Sequence, residues 1–237
     1  LDGLLNHDTA LSIEEIFTDT HGYTEYIFAL CNLLGIKFSP RIRDLPDQKL
    51  YKFDKKKNYQ NIDPLIDGVI NSDLIIEQWD EVARVMASLK NHTVAPSLLL
   101  YRLNSYTRKN RLLKALREIG RIYKTIHILE YIDIPEKRQE IRFHLNMGES
   151  HHTLARFLFF GEQGELRRQD YYQQMNRITC LSLLINAIIC WNTLKLQDVL
   201  AQLEQEGKTI SNETRKHVTP MLHGHINPYG EYHFNVE

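Results

Sequence analysis

Two acids stand where side chains can do chemistry. Asp19 lies in Phe17-Thr18-Asp19-Thr20-His21-Gly22, where a strand is expected to end. Glu149 lies in Asn146-Met147-Gly148-Glu149-Ser150, where a helix is expected to begin. Asp and Glu supply the oxygen ligands that Mg²⁺ prefers. Two such ions, held about 3.5–4 Å apart by several carboxylates, make a water or hydroxyl nucleophilic and stabilise a leaving oxygen. Each acid also has a plainer role. Asp19 can close the turn after a strand, and Glu149 can complete a capping box with Asn146 as N-cap. Taken locally, the plainer roles are favoured.

The elements that must position these acids can be read from periodicity. Residues 11–19 alternate imperfectly and are expected to form a strand. Tyr23, Ile27, Leu30 and Leu34 recur on one helical face, and Gly35 fits the position just past the helix end. Ile36, Phe38, Pro40 and Ile42 then alternate with Lys37, Ser39, Arg41 and Arg43, a strand with one charged face and a proline suited to an edge. Strand, helix and strand in so short a span predict a parallel βαβ unit. Ligands of open α/β sheets bind at the carboxyl ends of such strands, where Asp19 falls. Residues 44–70 are expected to be a polar connector and residues 71–140 a basic helical insertion. The helix of Glu149 and further helices occupy 141–206, and a polar tail follows at 207–237.

Composition is that of an ordinary folded chain: 237 residues, 43% hydrophobic, 25% charged, net charge −1. The charge is unevenly spread. Asp2, Asp8, Glu14, Glu15, Asp19 and Glu25 lie in residues 1–36, which hold no Lys or Arg. Residues 102–124 carry Arg102, Arg108, Lys109, Arg111, Lys114, Arg117, Arg121 and Lys124 against Glu118 alone. On a helix, Lys114, Arg117, Arg121 and Lys124 share one side, opposite Leu112, Leu116, Ile119, Tyr123 and Ile126. That basic stripe is a candidate phosphate-binding face, with Arg167, Arg168, Tyr171, Tyr172 and Arg177 a second cluster of the same kind. Cys31, Cys180 and Cys190 sit in apolar contexts and are expected to be buried thiols. The apolar run Ile178 to Trp191 is shorter than the ~20 residues of a membrane span, so no membrane partner is expected. His151-His152 and His223-Gly224-His225 lack the cysteines and spacing of a zinc motif.

Several stretches together resemble the Tn-three family of bacterial transposases. They are Leu1-Asp2-Gly3-Leu4-Leu5, Thr18-Asp19-Thr20-His21-Gly22-Tyr23-Thr24-Glu25, and Leu33 through Leu45 with its Gly35-Ile36-Lys37-Phe38-Ser39-Pro40-Arg41-Ile42-Arg43-Asp44 core. Leu116-Arg117-Glu118-Ile119-Gly120-Arg121, Asn146-Met147-Gly148-Glu149, Leu154-Ala155-Arg156, Trp191-Asn192-Thr193 and His225-Ile226-Asn227 follow in order. The resemblance runs along the whole chain, which no single motif could match for specificity.

The resemblance implies an α/β fold: a partial ribonuclease-H-like core in residues 1–43, a large mainly helical insertion and a helical C-terminal part. It implies a catalytic Asp-Asp-Glu triad, with Asp19 as the second member and Glu149 as the third, both ligands of two Mg²⁺ ions. The family's first Asp lies upstream in a Ser-Asp-Gly-Gln context that this sequence lacks. With Leu1 in place of a starting Met, the chain is expected to be the C-terminal part of a longer protein. The parent is expected to cut transposon ends and join them to target DNA, as a homo-oligomer in the bacterial cytoplasm at the nucleoid. Arg156, two helical turns past Glu149, is expected to face a DNA phosphate. His152 reads as solvated or packed. The alternative is a catalytically inactive fragment that binds DNA or other subunits.

Overall fold

The computed structural model describes residues 2–5, 11–20, 24–105, 110–159, 165, 170–218, 223–227, 230, 231 and 233. They form two compact units, Leu1–Leu145 and Asn146–Glu237. The protein is mixed α/β, mostly helical, with small parallel sheets.

The first unit opens with the short α1 (Asp2–Leu5), whose Asp2 carboxylate accepts a 3.0 Å hydrogen bond from the Ser97 N–H. The expected βαβ unit follows as β1 (Glu15–Thr18), α2 (Glu25–Leu33) and β2 (Lys37–Pro40). β1 and β2 pair in parallel, from Glu15 beside Lys37 to Thr18 beside Pro40. The turn between α2 and β2 depends on Gly35, whose φ of +83° is open to a residue without Cβ. Its N–H reaches the Asn32 carbonyl, and that of Ile36 reaches Cys31, so the last carbonyls of α2 are satisfied as β2 begins. Pro40 closes β2, where it removes no interior ladder bond.

The stretch expected to be a plain connector holds a second parallel sheet, β3 (Leu50–Lys52) with β4 (Ile66–Val69). Leu50 and Ile70 are buried, and these few apolar positions are enough to seat short strands in a polar segment. The insertion then forms α3 (Ser72–Glu77), α4 (Trp79–Lys90), α5 (Pro96–Ser105) and α6 (Arg111–Asp133). Asn110 caps α6, its side chain accepting the Leu113 N–H at 3.1 Å.

α6 is the spine of this unit. Leu113, Ala115, Leu116 and Ile119 pack with Ala29 and Leu30 of α2 and with Val82 and Leu89 of α4. Further along, Ile128 joins Ile42 and Leu50 in a second cluster. The His127 ring nitrogen lies 2.9 Å from the Pro40 carbonyl, and the Thr125 hydroxyl accepts the Tyr51 N–H at 3.1 Å. One helix therefore backs both sheets. It comes so close to α2 that a Cβ built on Gly120 would lie 1.7 Å from the Glu25 carbonyl oxygen. Ile126, expected on the covered side, is largely exposed.

α7 (Pro135–Leu158) corrects another expectation. Pro135 suits the first helical turn, and the helix runs unbroken through Asn146-Met147-Gly148. Asn146 is therefore no N-cap, and Glu149 lies in a helix interior. A single glycine costs such a helix only about 1 kcal/mol, too little to end it.

In the second unit, α8 (Tyr171–Gln205) is capped by Asp170, which accepts from Tyr172 and Gln173, and α9 (Asn212–His217) is capped by Ser211. α8 is longer than its apolar run suggested. By length and composition it is long and apolar enough to cross a membrane, although the run inside it looked too short. Its buried residues are Ile185 and Asn192, while Leu183 is 72% exposed. Cys180 and Cys190 lie exposed on it, against expectation, because apolar residues cover every side of the helix and the described chain packs on little of it. Cys31 is buried as expected, and burial pushes its thiol up to about 11.

Two outcomes are expected. Gly120→Ala forces α2 and α6 apart and lowers unfolding free energy by about 3 kcal/mol, read from urea midpoints. Burial holds His127 below its ordinary value, an effect larger than the opposing pull of the Pro40 carbonyl. The folded state thus resists a proton that the unfolded state accepts. Stability falls as pH drops below about 6.5, and His127→Gln flattens that slope in pH-dependent urea unfolding.

Candidate functional site

Asp19 directly follows β1 at the carboxyl end of the parallel pair and is exposed. Its Oδ1 accepts the Thr20 N–H at 2.7 Å. Glu149 is exposed on α7, in the second unit. Arg156 is exposed on the same helix, seven residues on and so on nearly the same face. His151 and His152 are also exposed there. Among the described residues, no three His, Cys, Asp or Glu side chains gather as a metal-binding group. The two carboxylates fit Mg²⁺ in donor chemistry, being exposed and oxygen-bearing.

The strand that leads to Asp19 is clamped by contacts the sequence did not announce. Glu15 and Phe17 alternate onto one face of β1. Glu15 accepts hydrogen bonds from Ser39 of β2 and from Lys137 of α7, and Lys37 stands 3.8 Å away. The Lys137 side chain is 7% exposed and also reaches Glu140 at 3.2 Å. Phe17 stacks flat on His144, ring centroids 4.1 Å apart. Lys137, the buried Ile141 and His144 recur at helical spacing, so one stripe at the start of α7 lies along β1. Burial pushes the Glu15 carboxyl up, but the bonds from Lys137 and Ser39 outweigh it and leave it below the usual range. Burial likewise works against the Lys137 charge, and the bonds to Glu15 and Glu140 outweigh it. The only sequence signals were the broken alternation at Glu14-Glu15 and a lysine on the inner stripe of a helix.

The basic stripe of α6 divides in two. Lys114 is exposed and Lys124 is half-buried. Arg117 donates to the Tyr26 hydroxyl at 2.9 Å, a bond that raises its pKa, and lies over that ring. Arg121 lies over Tyr51, 4.6 Å from the ring centroid, and pairs with Glu118 at 2.6 Å. Glu118 is buried and accepts the Asn71 N–H at the head of α3. Arg117 and Arg121 thus join elements of the fold, whatever else they meet.

Arg167 and Arg168 lie outside the described residues. Tyr171, Tyr172 and Arg177 are exposed at the start of α8. His223 packs on Phe157 and His225 stacks on Trp191, so both have aromatic partners.

The chain matches the family described as Tn3 transposase DDE domain over residues 1–232. It is 47% identical over 237 residues to the transposase for transposon Tn1546 of Enterococcus faecium, covering 100% of this chain and 24% of that protein. It is 42% identical over 232 residues to the transposase for transposon Tn501 of Pseudomonas aeruginosa, covering 98% and 24%. Against the transposase for transposon gamma-delta of Escherichia coli K12 the identity is 37% over 236 residues, covering 100% and 24%. The chain thus spans about a quarter of the length of these relatives. No solved structure matches it.

Lys137→Met is expected to cost on the order of 2 kcal/mol in urea unfolding, because Glu15 keeps a charge with its main partner gone. Glu15→Met combined with Lys137→Met recovers most of that loss, since the pair then leaves no buried charge.

Proposed function

The chain belongs to the Tn3 transposase DDE family, and from that premise we propose that it is part of a transposase that cuts DNA strands and transfers the exposed 3′ ends. The observation that carries this reading is the family match along residues 1–232, within which Asp19 and Glu149 fall in the resembling segments. The position of Asp19 after a parallel strand supports it, because ligands of such sheets gather at that end. The activity is assigned to the longer protein, of which this chain corresponds to about a quarter.

In this reading β1, α2 and β2 are part of a ribonuclease-H-like core. Asp19 and Glu149 are the second and third carboxylates of the triad and would hold Mg²⁺. When bound, the metal supplies a Lewis acid that makes water or a 3′-hydroxyl nucleophilic and offsets charge on the leaving oxygen. The chain's own residues position the partners. The Thr20 N–H meets one oxygen of the exposed Asp19 carboxylate. Arg156 contacts a phosphate from the helix of Glu149, where a bidentate guanidinium holds orientation as well as charge. Lys114 and Lys124, with Arg117 and Arg121, provide the basic face for transposon-end and target DNA, and Arg167 and Arg168 extend it. The protein works as a homo-oligomer on DNA in the bacterial cytoplasm.

A second reading holds for residues 1–237 by themselves, as a module that binds DNA or other subunits without cutting. The exposed apolar sides of α8 favour it, since a helix apolar all round is ordinarily covered by more protein.

In the full-length protein, Asp19→Ala and Glu149→Ala each reduce transposon-end cleavage by at least about 10³-fold, with DNA affinity held within a few-fold. Gel-resolved cleavage and an equilibrium binding assay on the same preparations check this. Parallel loss of binding would make both acids structural.

A further inference from the structure

The crossover between β3 and β4 has a form that the fold alone does not require. Parallel strands are usually joined through a helix. Here an open loop and a single 3-10 turn (Asp63–Leu65) make the crossover, and residues 53–62 are exposed throughout. The loop reads Phe53-Asp54-Lys55-Lys56-Lys57-Asn58-Tyr59-Gln60-Asn61-Ile62. It is ordered from within. Lys52, its side chain only 13% exposed, donates to the Lys57 carbonyl at 2.7 Å and to Asp63 at 3.1 Å. Asp63 also accepts the Tyr59 N–H, Asp54 accepts the Lys56 N–H at 2.8 Å, and Asn58 accepts the Gln60 N–H at 2.8 Å.

The bracing engages the nearby acids, and among the described residues none of them pairs with the side chains of Lys55 or Lys56. Asp63 is bound to Lys52, Asp67 to Lys49, and the Asp54 carboxylate faces a backbone N–H. The side chains of Lys55 and Lys56 take part in none of the ion pairs or hydrogen bonds among the described residues, and Lys57 stands 5.1 Å from the Tyr59 ring centroid. Phe53, at the foot of the loop, is 60% exposed, a large apolar side chain two to four positions before the three lysines. Three adjacent exposed cations repel only weakly in water, but a polyanion that meets them releases its own counterions, which favours binding. An exposed aromatic among lysines suits a polyanion that carries flat rings, which is nucleic acid.

We propose that the loop Phe53–Ile62 is a DNA-contacting element separate from the α6 stripe. Lys55, Lys56 and Lys57 meet phosphates, and Phe53 packs on a sugar or an unstacked base. The proposal rests on the reading of this protein as acting on DNA and names a surface that reading did not include. The internal bonds matter for affinity: a loop ordered beforehand loses little freedom on binding.

The test is equilibrium binding of residues 1–237 to duplex DNA over a range of salt concentrations. Replacing Lys55, Lys56 and Lys57 together by Gln is expected to reduce the salt slope by about 2–3 and to weaken binding at least about tenfold. Phe53→Ser weakens binding several-fold and leaves the slope unchanged. Lys195→Gln with Lys208→Gln, exposed cations elsewhere, changes far less. A wild-type slope in the triple variant overturns the loop proposal alone and leaves the DNA reading standing. No binding by the unsubstituted chain, or its capture by phosphatidylserine vesicles without DNA binding, likewise overturns the loop proposal, while the DNA reading of the longer protein stands or falls on the cleavage assay above. Far-ultraviolet circular dichroism confirms that the variants remain folded.

Discussion

The crossing of α2 and α6 is the contact on which the first unit depends. At Gly120 the two backbones meet with no room for even a methyl group. That closeness lets the side chains on either side interdigitate, so that Leu30, Leu116 and Ile119 share one core. α2 is also the crossover of the βαβ unit, and the position of α6 therefore sets where β1 and β2 lie. The same helix continues past the crossing to hold Pro40 through His127 and β3 through Thr125. Two sheets of two strands each would be marginal in water by themselves. A long helix laid across both gives them an apolar backing.

A second constraint acts on the other side of β1. Glu15, Ser39 and Lys137 form a small, mostly buried polar cluster that ties both strands to α7. Such a cluster adds little net stability, because its desolvation offsets much of its attraction. It does restrict alternatives, since a shift of one residue in β1 would turn Glu15 away from Lys137 and Phe17 away from His144. The arrangement defines the register of a strand whose next residue is Asp19. Arg117 and Arg121 show the same economy on α6, where cations that look suited to DNA also bond to Tyr26 and Glu118. Charge in this unit serves packing and surface at once.

The second unit is built differently. α8 keeps few of its apolar residues covered, and its exposed thiols share that surface. A helix with apolar residues on so many sides has few of them buried among the described residues.

Much of the local structure was legible in the sequence. The alternation after Gly35, the single-faced helix before it and the shortness of the links were enough for a parallel βαβ unit with Asp19 at its end. The ordered resemblance was enough for the family, and the comparisons bear it out. Other features were not legible, for physical reasons. Asn146 and Glu149 carry the letters of a capping box, but capping is a property of a helix end, and the end is at Pro135. The strands β3 and β4 have too few apolar residues to stand out and exist because α6 receives them. The exposure of Cys180 and Cys190 depends on which neighbours α8 has, which periodicity does not encode. The sequence by itself determined the family and the types of residue offered for chemistry, because these rest on identity and order along the chain. The tertiary structure alone decided that Lys137 is buried against Glu15, that Arg121 leans on Tyr51 and that Lys55 and Lys56 have no acid partner among the described residues. Those outcomes depend on distances between residues far apart in sequence, which only packing fixes.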